Sequence, residues 1–317
     1  MKFIIFILKL SLDAVRDTVK VVKYFNLIKH NNFFVLFNFF FIRLFCTFSS
    51  IRNFKKVKTN KLICKEIYFD DSKINVGKII NEMDDSGYSK LLKLKSNYVK
   101  DIKELIFKNQ NYDLKKIKKY DEDLKKNLDE SLNEYLFRLK KLKISRLTGT
   151  INLKEENILK DILTSKTIVE VAKSYLNTKT LSINATYFIS NPIEVAEAEK
   201  YKNAQYFHWD NDFTKFFKFY IYLSDVDMGS GPHVFIPYTH KFKKKEHRLC
   251  RLYNDASIFS SYKDKKYFTG KAGTSFFVDS YGLHKGETPL NNYRLMLNVH
   301  FGKGKLLYSK DDLYIKV

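Results

Sequence analysis

The sequence predicts an α+β chain in which N-terminal helices pack on a barrel or jelly roll of short strands. Three observations predict it. Up to about residue 180 the chain has no Pro and little Gly, and its apolar residues recur at three- and four-residue spacing. From Leu181 onward come short runs rich in Phe, Tyr, Ile and Val, cut by turn signals. All four prolines (Pro192, Pro232, Pro237 and Pro289) and six of the seven histidines lie in that second part.

In chain order, residues from about Lys65 to Leu147 read mostly as helix. Val99 to Phe107 and Tyr112 to Leu142 carry apolar residues at helical spacing among Lys and Glu, so their charge runs are solvated faces. Asn157 to Leu176 reads as one more helix, with Ile162, Ile168, Val171, Ala172 and Tyr175 on its apolar face. Strands follow at Leu181–Ile189, Phe217–Leu223, Val234–Ile236, Ser275–Asp279 and Arg294–Phe301. Turns are expected at Asn191-Pro192, at Asp227 to Pro232 and at Thr288-Pro289. Many short strands after a helical preface are the pattern of a barrel or jelly roll.

The chain has 317 residues, 44% of them hydrophobic and 16% aromatic, which excludes disordered, collagen-like and Pro-rich classes. The formal net charge is +22. Residues 1–65 hold 13 Lys and Arg against 2 Asp and Glu, so half of the excess sits there. A basic, aromatic-rich segment suits an anionic membrane surface or an acidic partner. Phe33 to Phe48 is the most apolar stretch, but as a helix its sixteen residues would span only about 24 Å of a core roughly 30 Å thick. An interfacial anchor and an apolar helix packed on the main domain are both open readings. Three cysteines (Cys46, Cys64 and Cys250), with no C-x-x-C, argue against a disulfide framework and for a reducing, cytoplasmic setting. No nucleic-acid motif accompanies the charge.

The histidines direct attention to metals. In His208-Trp209-Asp210 the alternation of an extended segment turns His208 and Asp210 to one side and Trp209 to the other. His284, just after the predicted strand at Ser275–Asp279, is the best third ligand. Two histidines and a carboxylate leave open positions on an octahedral ion, which suits non-haem Fe(II) and O2 chemistry. Arg294 lies ten residues beyond His284 and shares a strand face with Met296, Asn298 and His300. Its guanidinium suits the far carboxylate of a chelating cosubstrate such as 2-oxoglutarate. His300 stands six residues along, about 20 Å at strand rise, and is read as beyond the ion's reach. His233 reads either as a turn group or as a substrate contact, His240 as a turn or cap group, and His247 as a surface residue in the basic run Lys241 to Arg251.

The segments FHWDND, YIYLSDVDMGSGPHVFIPYTHK and GKAGTSFFVDSYGLHKGETPLNNYRLMLNVHFG resemble the phytanoyl-CoA dioxygenase (PhyH) family. The likeness covers roughly Leu181 to Gly302 and extends weakly back to Ser86-Gly87-Tyr88; it does not reach residues 1–65. It implies a double-stranded β-helix of the jelly-roll, cupin-like kind, within a domain at 66–310 whose helical preface is 66–176 and whose barrel core is 181–302. It implies His208, Asp210 and His284 as iron ligands and catalytic centre, with Arg294 as the 2-oxoglutarate anchor. Asn184, Thr186 and Tyr187 on the preceding strand are candidate further cosubstrate contacts. Trp209 and Gly286 depart from the family's usual residues, and Ile236 to Lys241 stands where the family has an "IPGSHK"-like element. Asp210 fills a position that is Gly or Ala in related halogenases, so hydroxylation is expected. The implied reaction splits 2-oxoglutarate to succinate and CO2 and hydroxylates a small or lipid-like substrate, anionic or acyl-CoA-like. The alternative is an inactive barrel of this kind serving as a membrane-associated binding protein through residues 1–65.

Overall fold

A computed structural model describes residues 63–108, 132–194, 196–210, 212, 215–247, 252–303 and 312–317. The expectations for residues 1–62, for Cys46 and Cys250, and for most of Tyr112 to Leu142 lie outside those residues. The helices are α1 (Val76–Ser86), α2 (Ser96–Lys108), α3 (Leu132–Lys141), α4 (Ile158–Leu163), α5 (Lys166–Leu176), α6 (Glu197–Lys202) and α7 (Asp255–Ser261). The early strands are β1 (Ile63–Lys65), β2 (Lys73–Asn75), β3 (Leu92–Lys93), β4 (Arg146–Ile151) and β5 (Thr180–Ser190). Then come β6 (Phe207–His208), β7 (Phe216–Tyr222), β8 (His233–Phe235), β9 (Leu252–Tyr253) and β10 (Lys266–Phe268). The chain ends with β11 (Thr274–Val278), β12 (His284–Gly286), β13 (Arg294–Lys303) and β14 (Leu313–Lys316).

Two antiparallel sheets carry the architecture. One has the order β14-β5-β13-β7-β11-β3, with β4 also paired to β5; the other has the order β10-β8-β12-β6-β9. Between β5 and β13 the chain repeatedly crosses from one sheet to the other. The sheets meet face to face, with Phe268 of β10 stacked on Phe276 of β11 at 4.0 Å. The Tyr222 hydroxyl donates to the Phe268 carbonyl (2.8 Å) and accepts from the His233 amide (3.0 Å), bonding β7 to β10 and β8.

Strand alternation divides the larger sheet into two faces. Leu181, Ile183, Ala185, Tyr187 and Ile189 of β5, with Leu295, Leu297, Val299 and Phe301 of β13, belong to one buried apolar cluster. That cluster includes Ile79, Ile80 and Met83 of α1 and Ile168, Val171 and Ala172 of α5, so the helices cover this outer face. Burial of each such side chain contributes about 1.5–3 kcal/mol. The opposite face, with the second sheet, makes the interior that holds the site.

The preface contains more strand than its periodicity predicts. β1 to β3 break the run expected to be helical, and β4 begins at Arg146. The helix expected over Asn157 to Leu176 is two helices. Thr164 ends α4, and the Ser165 hydroxyl caps α5 by accepting from the Ile168 amide. A capping Ser competes with continued helix, and the apolar spacing alone does not reveal it. No helix among the described residues is long and apolar enough to cross a membrane.

Candidate metal centre

β6 and β12 are neighbours in the smaller sheet, and their register sets His284 directly opposite His208. The two imidazole rings lie 4.3 Å apart. Asp210 follows β6, held by its amide bonding to the Ser280 carbonyl at 2.8 Å. Ligand atoms of His208, Asp210 and His284 lie within 4.8 Å of one another, forming the group of three that could hold a metal ion among the described residues. Asp210 Oδ1 faces His208 Nε2 at 4.0 Å, and Oδ2 faces His284 Nε2 at 3.5 Å. His284 and Asp210 are buried and His208 nearly so.

The rings are oriented from behind. His208 Nδ1 lies 2.9 Å from the Tyr206 carbonyl, and His284 Nδ1 lies 2.9 Å from the Gly282 carbonyl. A carbonyl only accepts, so each Nδ1 carries the proton and each Nε2 presents a lone pair toward Asp210. The same two-residue backward bond recurs in both ligands, one on each strand. Two imidazole lone pairs and one carboxylate fit a divalent transition metal such as Fe(II).

Lys218 completes the centre, and the sequence reading passed over it. It stands on β7 in the facing sheet, and its ammonium lies 2.5 Å from Asp210 Oδ2. Burial, the largest single influence, lowers its pKa, but Asp210, Tyr220 and Asp212 together outweigh burial, so the ammonium is held charged. The signal was a lone Lys at an inward position of the apolar run Phe216–Tyr222.

Arg294 opens β13 on the interior face and is 5% exposed. Its Nε and Nη1 have no hydrogen-bond partner. Burial lowers its pKa, opposed by the phenols of Tyr222 and Tyr220 and by Glu287. A Cβ on Gly286 would lie 2.9 Å from Arg294 Nη2, so the glycine that departs from the family pattern is what gives the guanidinium room. Across β5, Ser190 is flanked by Arg294 on β13 and Arg146 on β4. Arg146 lies over the Phe188 ring at 4.0 Å and donates to the Asn203 carbonyl. Burial, with Arg294 second, holds its pKa down at about 10. Arg146 also escaped the sequence reading, because β4 did.

Tyr220 stands between the two groups of charge. Its ring is 4.6 Å from that of His233, and burial is the main cause that raises its pKa to about 12. His233 is fully buried, with Nε2 unpartnered; burial first, then His284 and Arg294, push its pKa well down. Asn184 faces the interior opposite His300. Tyr187 does not. Its odd register places it on the helix-covered face, where its ring fills the space over Gly149 of β4. This corrects the expectation that Tyr187 touches a cosubstrate. His247 is likewise buried rather than on the surface, with Nδ1 3.2 Å from the Tyr262 hydroxyl and Nε2 3.2 Å from that of Ser257.

No family model matches the chain, and no curated protein does. Solved structures do. AviO1 from Streptomyces viridochromogenes is 11% identical, with 72% of this chain and 95% of that one covered at a TM-score of 0.45. HygX from Streptomyces hygroscopicus, solved with nickel and 2-oxoglutarate bound, is 9% identical, with 71% and 86% covered at 0.48. SnoN, a non-haem α-ketoglutarate-dependent epimerase from nogalamycin biosynthesis, is 12% identical, with 72% and 80% covered at 0.45.

Proposed function

We propose that this chain is a non-haem Fe(II)- and 2-oxoglutarate-dependent oxygenase that hydroxylates an organic substrate, built on a double-stranded β-helix. The strand order supports the fold. β5, β13, β7 and β11 are neighbours in one sheet, β10, β8, β12 and β6 in the other, and the chain between β5 and β13 shuttles between them. The observation that carries the function is the buried, half-unpartnered guanidinium of Arg294, in the same interior as the cluster of His208, Asp210 and His284. A buried cation without a carboxylate is costly, and a site that brings an anion to it recovers that cost.

His208 Nε2, His284 Nε2 and one Asp210 oxygen would hold the ion, and the carbonyls behind the rings keep both imidazoles neutral and aimed. Bound iron would supply oxygen activation coupled to the oxidative decarboxylation of 2-oxoglutarate to succinate and CO2. Arg294 would grip the cosubstrate's far carboxylate through two parallel N–H donors. Tyr220, its phenol held protonated, stands between Lys218 and Arg294 in the strand register and would donate to the cosubstrate. Phe235, Phe268 and Phe276 wall this end of the interior against water.

Anaerobic addition of Fe(II) and then 2-oxoglutarate tests the reading. A visible charge-transfer band should appear, and oxygen should then release succinate slowly without any substrate. Both should vanish in His208→Ala, and Arg294→Ala should weaken the band's dependence on 2-oxoglutarate. An intact, folded chain that shows neither band nor succinate overturns the reading.

A further inference from the structure

The interior face of the larger sheet is a grid. Its registers align Thr148, Phe188, Met296 and Tyr222 in one row across β4, β5, β13 and β7. The next row is Thr150, Thr186, Asn298 and Tyr220, and the next runs Asn184, His300 and Lys218. The grid is not uniform. Toward β7 and β11 the inward Tyr220, Tyr222 and Phe276 are buried and aromatic, closed over by Phe268 and His233 of the other sheet. Toward β4 and β5 the inward residues Thr148, Thr150, Thr186, Asn184 and Asn298 are only half-buried. The interior therefore opens over β4, β5 and β13, beside the Asp210–Lys218 end of the metal centre.

That opening has a polar floor of threonine and asparagine side chains, with Arg146, two residues before Thr148 on β4, and Lys218, beside His300, as the charged groups at its ends. The Thr186 hydroxyl donates to the Asn298 carbonyl at 3.1 Å and accepts from Asn298 Nδ2 at 3.0 Å. This leaves Asn298 Oδ1 buried with no partner. One step along β13, His300 Nε2 is also buried and unpartnered. Burial first, with Asp212 opposing, brings the His300 pKa to about 4, so the ring is neutral at pH 7. One orphan accepts, the other accepts or donates according to tautomer, and neither carries charge.

We propose that this opening binds a neutral, hydroxyl-rich substrate, a sugar or polyol segment, and not an acyl chain; the proposal rests on the oxygenase reading above. Hydroxyls both donate and accept, so they match a floor of threonine hydroxyls and asparagine amides that offers both. An acyl chain laid there would strip water from these groups and return nothing, at about tenfold in affinity or more for each group left unpaired. Sites built to bond a hydroxyl reject analogues that lack it far more strongly than apolar pockets reject an extra one.

Calorimetry on the full chain, loaded anaerobically with Fe(II) and 2-oxoglutarate so that nothing turns over, tests this. The probes are methyl glycosides, sucrose and trehalose on one side, and dodecanoate and dodecanoyl-CoA on the other. Binding from the sugar set only is expected. In the folded double variant Thr186→Val, Asn298→Leu, that binding should weaken at least tenfold. Binding of the acyl probes instead, binding of neither set, or sugar binding unchanged in the double variant overturns the proposal. The same titration on the metal-free chain, with succinate release measured separately, keeps the two readings apart. Sugar binding without succinate release removes the oxygenase reading alone, and succinate release with acyl binding removes this one alone.

Discussion

The Lys218 ammonium lies 2.5 Å from Asp210 Oδ2, so a ligand carboxylate of the candidate metal centre is already paired with a buried cation. The pair joins the two sheets, since Lys218 comes from β7 and Asp210 follows β6. Two consequences oppose each other. Hydrogen bonds to a ligand orient it, an effect of roughly 10–100-fold on metal affinity. A divalent ion and an ammonium sharing one carboxylate also repel, by several kcal/mol at the effective dielectric of about 20 that suits protein sites.

Repulsion is the larger effect, which sets the sign for Lys218→Met. The variant should bind Fe(II) or Ni(II) more tightly than the parent in chelator competition. Its metal-free form should melt lower, because a buried carboxylate stripped of its partner costs about 3–5 kcal/mol. Weaker metal binding in the variant would mean that Lys218 acts chiefly by orienting Asp210.

Arg294 has the converse economy. It is buried, Nε and Nη1 lack partners, and no carboxylate forms an ion pair with it among the described residues. Arg294→Met should therefore leave the ligand-free melting temperature unchanged or raised. It should also weaken 2-oxoglutarate by about 2–5 kcal/mol, the usual range for losing one partner of a buried charged pair. Melting with and without 2-oxoglutarate on metal-loaded protein checks both. A large drop without 2-oxoglutarate would show that Arg294 is a structural cation instead.

Much of this site was legible in the sequence because it depends on alternation. H-x-D on an extended segment and an inward Arg are both period-two statements, and β13, which carries Arg294, is long, whereas β6 and β12, which carry His208 and His284, have only two and three residues. The strands expected at Leu181–Ile189 and Phe217–Leu223 fall within one residue of β5 and β7. What was illegible is pairing. Arg146 joins the site only because β4 lies beside β5 in the register Arg146↔Ser190, and β4 sits in a stretch whose spacing reads as helix. The Tyr187 error has the opposite origin. Asn184 and Tyr187 are three apart, and residues an odd number apart on one strand cannot share a face.

Tyr187 should accordingly matter to the fold and not to the cosubstrate. Its ring occupies the space where a Cβ on Gly149 would come within 2.2 Å of it. Gly149→Ala must displace a fully buried ring and should cost about 1–3 kcal/mol, the range for overpacking a core. Tyr187→Phe keeps the ring and should leave the 2-oxoglutarate affinity of the metal-loaded protein as it is. A tenfold loss in that affinity would return Tyr187 to the cosubstrate.

Tyr238 holds a different kind of strain. It stands at the position of the glycine in the "IPGSHK"-like element and keeps the left-handed backbone that glycine favours, with φ at +67°. Its side chain is half exposed and gives little packing in return. The backbone cost of that conformation for a residue with a Cβ is roughly 1–2 kcal/mol. Tyr238→Gly relieves it but also loosens the unfolded chain, so a net gain of about 0.5–1 kcal/mol is expected. Urea unfolding should show a higher midpoint at unchanged slope; a lower midpoint would mean that the Tyr238 ring makes contacts worth more than the strain.

His300 gives the fold a dependence on acid. It is buried against the Phe216 ring and beside Asp212, with its pKa near 4 because burial outweighs the carboxylate. In the unfolded chain the same group titrates near 6.5. The unfolded state thus binds the proton first as pH falls. Stability is full above about pH 6.5, declines between there and pH 4, and loses nothing further from this group below that. The upper bound on the loss is about 3 kcal/mol, since each tenfold change in proton affinity is worth about 1.4 kcal/mol. His233, also buried and pushed down, steepens the same decline. In metal-free protein, His300→Phe should match the parent's stability change from pH 8 to pH 7 and lose less than the parent between pH 6.5 and pH 4.5. Equal losses in the two proteins over the lower window would mean that His300 is protonated in the fold, held by Asp212 at the 3.9 Å that separates them.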